Sequence, residues 1–200
     1  MSQPAESQGV RNPVAAAAPR SDSDAELGRR ARSGDRAAFG RIYERYASLV
    51  HGVLLAHAPT PEVGDLVQDV FVLALRSIER LDDPARLAPW LVTIARNRAH
   101  DHHKRDRREE ELGARAELAR TGFDGSQAAE DDEAERVLAV IRALPEAYRE
   151  TLVLRLVEGL SGPEIAERTG LTHGSVRVNL VRGMKLLREK LERGPGRSAP

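Results

Sequence analysis

Residues 160–191, LSGPEIAERTGLTHGSVRVNLVRGMKLLREKL, decide the fold. Ser161 and Glu164 stand at the S-x-x-E spacing of a capping box, which satisfies orphan N–H groups at a helix start. Pro163 falls in the first turn, where its missing N–H costs nothing. Gly170 suits the left-handed position that ends a helix, and Thr172 suits the cap of the next. A short helix, a glycine turn and a second amphipathic helix make a helix-turn-helix, whose second helix enters the DNA major groove. At ~100° per residue, Val176, Leu180, Met184, Leu187 and Leu191 share one face of that helix. Opposite them fall Gly174, Ser175, Val178, Val181, Arg182 and Lys185, flanked by Arg177 and Asn179. A basic end that complements the helix dipole explains the last cations of an ordinary bundle helix. It does not explain two outward valines. A groove-reading surface does, because an apolar group meets a thymine methyl while Arg and Asn reach base edges or phosphates.

Outward from this stretch the chain reads as helix throughout. Of 200 residues, 31% are charged and only 4% aromatic, so the core is aliphatic and modest. That favours two small helical bodies over one large one. With no cysteine, disulfides and thiolate zinc sites are excluded. No apolar run approaches the ~20 residues of a membrane span, and VAAAAP is too short for a signal-peptide core. The expectation is a cytoplasmic protein without membrane insertion.

Residues 1–21 are rich in Ala, Pro, Ser and Gln and read as a disordered tail. A domain at 22–108 follows. Asp35 caps a helix with Phe39, Ile42, Tyr46, Leu49, Val50 and Val53 on one stripe. HAPTPEVGD breaks it, and Thr60 and Pro61 suit the start of a helix over about 62–81, with Leu66, Val67, Val70, Phe71, Ala74 and Ile78 inward. DDPARLAP is a loop, and Pro89 opens a third helix. Residues 109–135 are acidic and poor in periodic apolar residues, as in a linker, with helix-forming character near Leu112–Leu118. A second domain spans 136–193, with Val137, Ile141 and Leu144 before a break at Pro145. Leu152, Val153, Leu156, Val157 and Leu160 continue it, and 194–200 form a second tail. Strand signals are absent. The expected fold is all-α: two small helical domains joined by an acidic flexible linker, the C-terminal one a helix-turn-helix.

Net charge is zero, but the charges come in blocks. Arg96, Arg98, Lys104, Arg105, Arg107 and Arg108 crowd one helix, opposed by Asp101 and Asp106, with Trp90 upstream. Cations beside an aromatic ring suit opened DNA, although a lone Trp four residues before Ile94 equally suits a core. On the preceding helix, Asp65, Gln68, Asp69 and Val72 share an outward ridge.

Taken together, GDRAAFGRIYERY, VGDLVQDVFVLALRSIERL, PWLVTIARNRAHDHHKRDRR and the stretch from Ala143 to Leu191 resemble, in that order, the extracytoplasmic-function sigma factors of bacterial RNA polymerase. The resemblance covers about Asp24 to Leu191. It implies that the DLVQ helix docks on core polymerase, with Asp65, Leu66, Gln68, Asp69 and Phe71 as contact or support. It implies that the loop Asp82–Pro89 captures a base of the −10 element. Trp90, Arg96, Asn97, Arg98, Lys104 and Arg105 would then hold the single-stranded −10 DNA. Ser175, Arg177, Val178, Asn179, Arg182 and Lys185 would read the −35 duplex. The acidic linker would imitate a nucleic-acid strand in a basic channel. No catalytic residue, cofactor or metal is implied, so the expected protein is not an enzyme. An inhibitory anti-sigma partner is common in the family, and no residue here specifies one. Many relatives carry an aromatic and an acidic residue where Gly162 and Pro163 stand, and a basic one at Asn179, so the −35 preference does not transfer.

Two other readings compete. Asp101-His102-His103 spells a metallophosphoesterase signature, but it lies within a helical run, where successive side chains point ~100° apart. A stand-alone helix-turn-helix regulator needs no polymerase, and the DLVQ helix argues against it.

Overall fold

The computed structural model describes residues 22–111 and 128–193. Both expected tails and the Leu112–Leu118 segment lie outside the described residues. Eight α-helices run through the rest: α1 Asp24–Arg32, α2 Arg36–Leu55, α3 Thr60–Ser77, α4 Leu87–Glu111, α5 Ala128–Arg142, α6 Glu146–Leu156, α7 Gly162–Thr169 and α8 His173–Arg193. Short 3₁₀ turns at Ile78–Arg80 and Pro84–Arg86 join α3 to α4.

In the N-terminal body α2 is central, packed by α1, α3 and α4. Its inward stripe is fully buried at Ile42, Leu49, Val50 and Val53, and the Asp35 carboxylate accepts from the Ala38 N–H to start it. The nine-residue α1 is too short to show its own periodicity in the sequence. It is fixed by tertiary ties: Leu27 and Ala31 are buried, Arg45 donates to the Asp24 carboxylate at 2.7 Å, and the Tyr46 hydroxyl donates to the same group. A Cβ on Gly28 would stand 2.9 Å from Pro84, so glycine lets α1 brace the turn ahead of α4.

In the C-terminal body α6 and α7 pack on α8, with α5 across α6 and α8. Gly183 is buried at the α6–α8 crossing, where an added Cβ would lie 3.1 Å from Leu152 Cδ1.

Two expectations change. Residues 109–111 and 128–135, read as linker, are helical. As expected, α3 starts at Thr60 with Pro61 in its first turn, and the Thr60 hydroxyl donates to Glu135 of α5. Leu156 at the end of α6 and Val157 just after it are exposed, while Leu154 is fully buried. The reason is that α6 also packs on α2 of the other body.

Candidate nucleic-acid interface

The helix-turn-helix forms as its local chemistry requires. Ser161 Oγ accepts from the Glu164 N–H, and the Glu164 carboxylate accepts from the Ser161 N–H at 2.9 Å. The Ser161 hydroxyl, which donates to this carboxylate at 2.7 Å, and then the Ser161 N–H hold the Glu164 carboxyl below the usual carboxylate range. Gly170 ends α7 with φ +76°, a left-handed value that suits glycine. Thr172 Oγ1 then accepts from the Ser175 N–H at 3.1 Å, capping α8. Between these two caps the orientation of α8 is set by Val176 and Leu187, both buried.

The surface this presents is open. Gly174, Ser175, Arg177, Arg182 and Lys185 are exposed. Among the described residues neither Arg177 nor Arg182 has an ion-pair partner, and Lys185 lies 3.9 Å from Glu189. Val178 is 44% exposed and Val181 66%, the most exposed large apolar side chain among the described residues. Val181 belongs with the expected set; its outward position is legible in the helical phase, yet the cations of the same face draw attention first. Asn179 is half-buried and turns toward the N-terminal body.

The α4 surface is built differently. Asn97, Lys104 and Arg105 are exposed, but Trp90 is half-buried and packs on the core. Arg98 donates through Nε at 3.0 Å and through Nη2 to the Asp69 carboxylate, so one member of the DLVQ ridge holds one cation of α4. Arg96 makes a two-pronged bond to Glu150 of α6, at 2.8 and 2.7 Å. The Glu150 side chain is 9% exposed, with His57 at 3.9 Å on its other side. Burial pushes this carboxyl up, but His57 and Arg96 outweigh it, and the net direction is below the ordinary value. The Arg96 guanidinium is raised in turn by its bonds to Glu150.

Asp82, Asp83, Ala85 and Arg86 of the turn before α4 are exposed, and Asp83 Oδ1 accepts from the Ala85 N–H at 2.9 Å to fix its shape. In the 101–103 triplet, Asp101 and His103 are exposed while His102 Nε2 lies 3.0 Å from Glu62 of α3. The three side chains do not converge.

On α3, Asp65 and Gln68 are exposed, whereas Leu66 and Phe71 are buried and support the ridge from beneath. Phe71 is held by Phe39 at 6.5 Å and by Tyr43 at 4.7 Å between ring centroids. Val72 and Leu75 extend the ridge with 46% and 52% exposure, and Tyr43 on α2 is 44% exposed. The two α3 residues are legible in helical phase; Tyr43 is not, because nothing local brings α2 beside Phe71. Among the described residues no helix is long and apolar enough to cross a membrane.

Comparison with known proteins agrees with this anatomy. Residues 42–109 match the family Sigma-70 region 2, and residues 134–187 match Sigma-70, region 4. The RNA polymerase sigma factor CarQ of Myxococcus xanthus is 31% identical over 163 residues, covering 81% of this chain and 94% of CarQ. The ECF RNA polymerase sigma-E factor of Haemophilus influenzae is 30% identical, covering 85% of this chain and 96% of the relative. A solved structure of CnrH in complex with the cytosolic domain of CnrY superposes with a TM-score of 0.62 at 28% identity, over 87% of this chain and 100% of CnrH. The all-α chain, with its helix-turn-helix and DLVQ helix, belongs to the extracytoplasmic-function sigma factors of RNA polymerase.

Proposed function

We propose that three separate surfaces of this sigma factor divide the work of initiation. The outer ridge of α3, with Asp65 and Gln68 exposed over Leu66 and Phe71, docks on core polymerase, and Val72 and Leu75 widen the contact. The turn before α4 and the exposed Asn97, Lys104 and Arg105 hold the opened −10 strand together with Trp90, Arg96 and Arg98. The outer face of α8 reads the −35 duplex through Ser175, Arg177, Val178, Val181, Arg182 and Lys185, with Asn179 at its inner flank.

One observation carries the reading: α8 offers cations and two exposed valines on a single solvent-facing surface. Phosphate contacts by Arg and Lys position a protein on DNA, and apolar contacts to thymine methyls add sequence information. We place the two bodies at 22–111 and 128–193, the ends of α4 and α5 replacing the bounds 108 and 136 expected from the sequence. The factor acts by binding and has no reaction of its own, and its place of work is the cytoplasm, where polymerase is. CnrH was solved with the cytosolic domain of CnrY, and a protein inhibitor of the anti-sigma kind is proposed here on family resemblance.

The test is transcription reconstituted with bacterial core polymerase, with and without this protein, on a genomic promoter library. Transcripts that appear only with the protein, and that share two upstream elements at fixed spacing, are the expected result. Duplex binding by the protein alone, with no new start site, would favour the stand-alone regulator and overturn the polymerase role.

A further inference from the structure

The exposed residues of α8 are not scattered over its outer face. At ~100° per residue, Gly174, Val178, Val181 and Lys185 fall on one line, opposite the buried Val176, Gly183 and Leu187. Arg177 lies about 70° to one side of that line and Arg182 about 70° to the other. At Gly174 an added Cβ would meet only Thr172 Oγ1, at 3.9 Å, so the line begins without a side chain. A helix laid in the major groove turns its apex to the base edges and its flanks to the phosphates on either side. The apex of α8 is apolar at its centre, and the two arginines sit on its flanks.

The polar side chains suited to reading bases by hydrogen bonds are engaged elsewhere. Ser175 Oγ lies 2.8 Å from Thr172 Oγ1, within the cap of α8. Asn179 is half-buried and turned off the apex toward the N-terminal body, whereas an amide reads adenine with both its ends on the base edge. What remains at the apex is Val178 and Val181, both exposed. Single exposed apolar residues are ordinary on a protein surface. Two on one line between flanking cations are different, because together they fit a polyanion that carries an apolar group at its centre. The major groove has such a group, the C5-methyl of thymine.

We propose that this factor reads its −35 element through the C5-methyl groups of two pyrimidines, one against Val178 and one against Val181, while Arg177 and Arg182 clamp the phosphates on either side. The valines are three residues apart, about 4.5 Å along the helix axis, against about 3.4 Å per base pair. The two pyrimidines are therefore adjacent or one pair apart. A valine meets the methyl and is indifferent to the group at C4. Thymine and 5-methylcytosine carry that methyl at the same ring position, and uracil and cytosine lack it. At each position thymine and 5-methylcytosine thus rank above uracil and cytosine, and methylation of a cytosine there turns a poor element into a good one. The inference rests on the assignment of α8 to the −35 duplex made above.

The test uses holoenzyme formed from core polymerase and the full chain, on a promoter that it transcribes, with affinity for the promoter fragment read by competition. Each thymine of the −35 element is replaced in turn by uracil, which removes one methyl and keeps the pairing with adenine. Each cytosine is replaced by 5-methylcytosine, which adds one methyl and keeps the pairing with guanine. Two positions, adjacent or one apart, should each lose about fourfold in affinity with uracil and about fifteenfold together, the size expected for burying one methyl group each. Cytosine placed at either position should regain the same factor on methylation. Val178→Ala should reduce the uracil effect at one position to less than about twofold, and Val181→Ala at the other. Both side chains are exposed, so neither change opens a cavity in the core.

Uracil without effect at every position would overturn the proposal. So would a uracil effect that persists undiminished in both valine variants, because the methyl would then act through the shape of the DNA. Weaker binding of the valine variants to core polymerase would overturn it in another way, by making the apex a protein contact. If scrambling the whole −35 element leaves promoter affinity unchanged, the assignment of α8 to the −35 duplex is what fails, and the methyl reading falls with it.

Discussion

The outer face of α8 and the helix α4 carry similar cations in opposite states. On α8, Arg177, Arg182 and Lys185 stand in solvent, and the nearest carboxylate to Lys185 is 3.9 Å away on Glu189. On α4, Arg96 and Arg98 are each forked onto a carboxylate from another element, Glu150 and Asp69. On the proposed assignment, the first surface meets duplex DNA as it stands, and the second exchanges partners before it holds a strand. A basic residue in a sequence is thus a promise of charge, not of availability; packing decides which cations are free.

The largest effect belongs to the packing beneath the occupied surface. Leu154 is fully buried, and its Cδ2 approaches Gly52 of α2, whereas Leu156 two residues on is 46% exposed. Leu154→Ala should cost about 2–5 kcal/mol of unfolding free energy, as large-to-small core changes do, and lower the melting temperature by roughly 5–15 °C. Leu156→Ala should stay within about 0.5 kcal/mol. Equal losses in thermal melts would mean that α6 does not face α2 in solution, and the contrast between free and occupied cations would lose its basis.

The next effect tests the open surface. Replacing Arg182 and Lys185 together with alanine should weaken promoter-duplex binding about 10- to 100-fold near physiological salt. The slope of log affinity against log salt should fall by roughly two, about 0.9 for each phosphate that is no longer neutralised. Core binding should not change. A parallel loss of core affinity, measured with polymerase alone, would show that α8 also serves the polymerase and would erase the division between surfaces.

Much of this was legible in the chain. The caps at Ser161, Asp35 and Thr172, the left-handed Gly170 and the inward stripes of α2, α3 and α8 all follow from local rules. What was not legible required knowing which helices meet. Leu154 on α6 reads no differently from Leu156 until α2 covers it. Glu150 lies 54 residues from Arg96, and Asp69 lies 29 from Arg98. Charge pairs at such separations leave no periodic trace. Residues 128–135 were obscured in another way, since acidic residues signal a solvated linker and a helix N-terminus alike.

A smaller effect sharpens the role of Asp69. The resemblance places it in the polymerase contact, but the structure ties it to Arg98, with half of the Asp69 side chain exposed. It is better read as a positioning residue for that cation. A double-mutant cycle of Asp69→Ala and Arg98→Ala, read by thermal stability, should give a coupling of about 0.5–1 kcal/mol, the range for partly exposed pairs. Asp65→Ala, at an exposed position on the same ridge, should show no coupling to Arg98. Coupling of both to the same extent would return Asp69 to the general field of the ridge.

The smallest effect concerns the cap that aims α8. The Glu164 carboxyl is held below its usual range by the Ser161 hydroxyl and N–H. A lowered carboxyl binds its proton less readily in the folded chain than in the unfolded one. Its contribution is therefore fully present above the unfolded value of about 4.3 and is lost as pH falls through the folded one. Glu164→Gln keeps the hydrogen-bonding shape of the box but removes the charge. At neutral pH the wild type should melt slightly above the variant, and the gap should close between about pH 5 and pH 3. Comparing the two proteins at each pH cancels the other carboxylates, Glu150 among them. A gap that stays constant across that range would mean that the box holds α7 by shape alone, and that the open surface owes nothing to charge at its root.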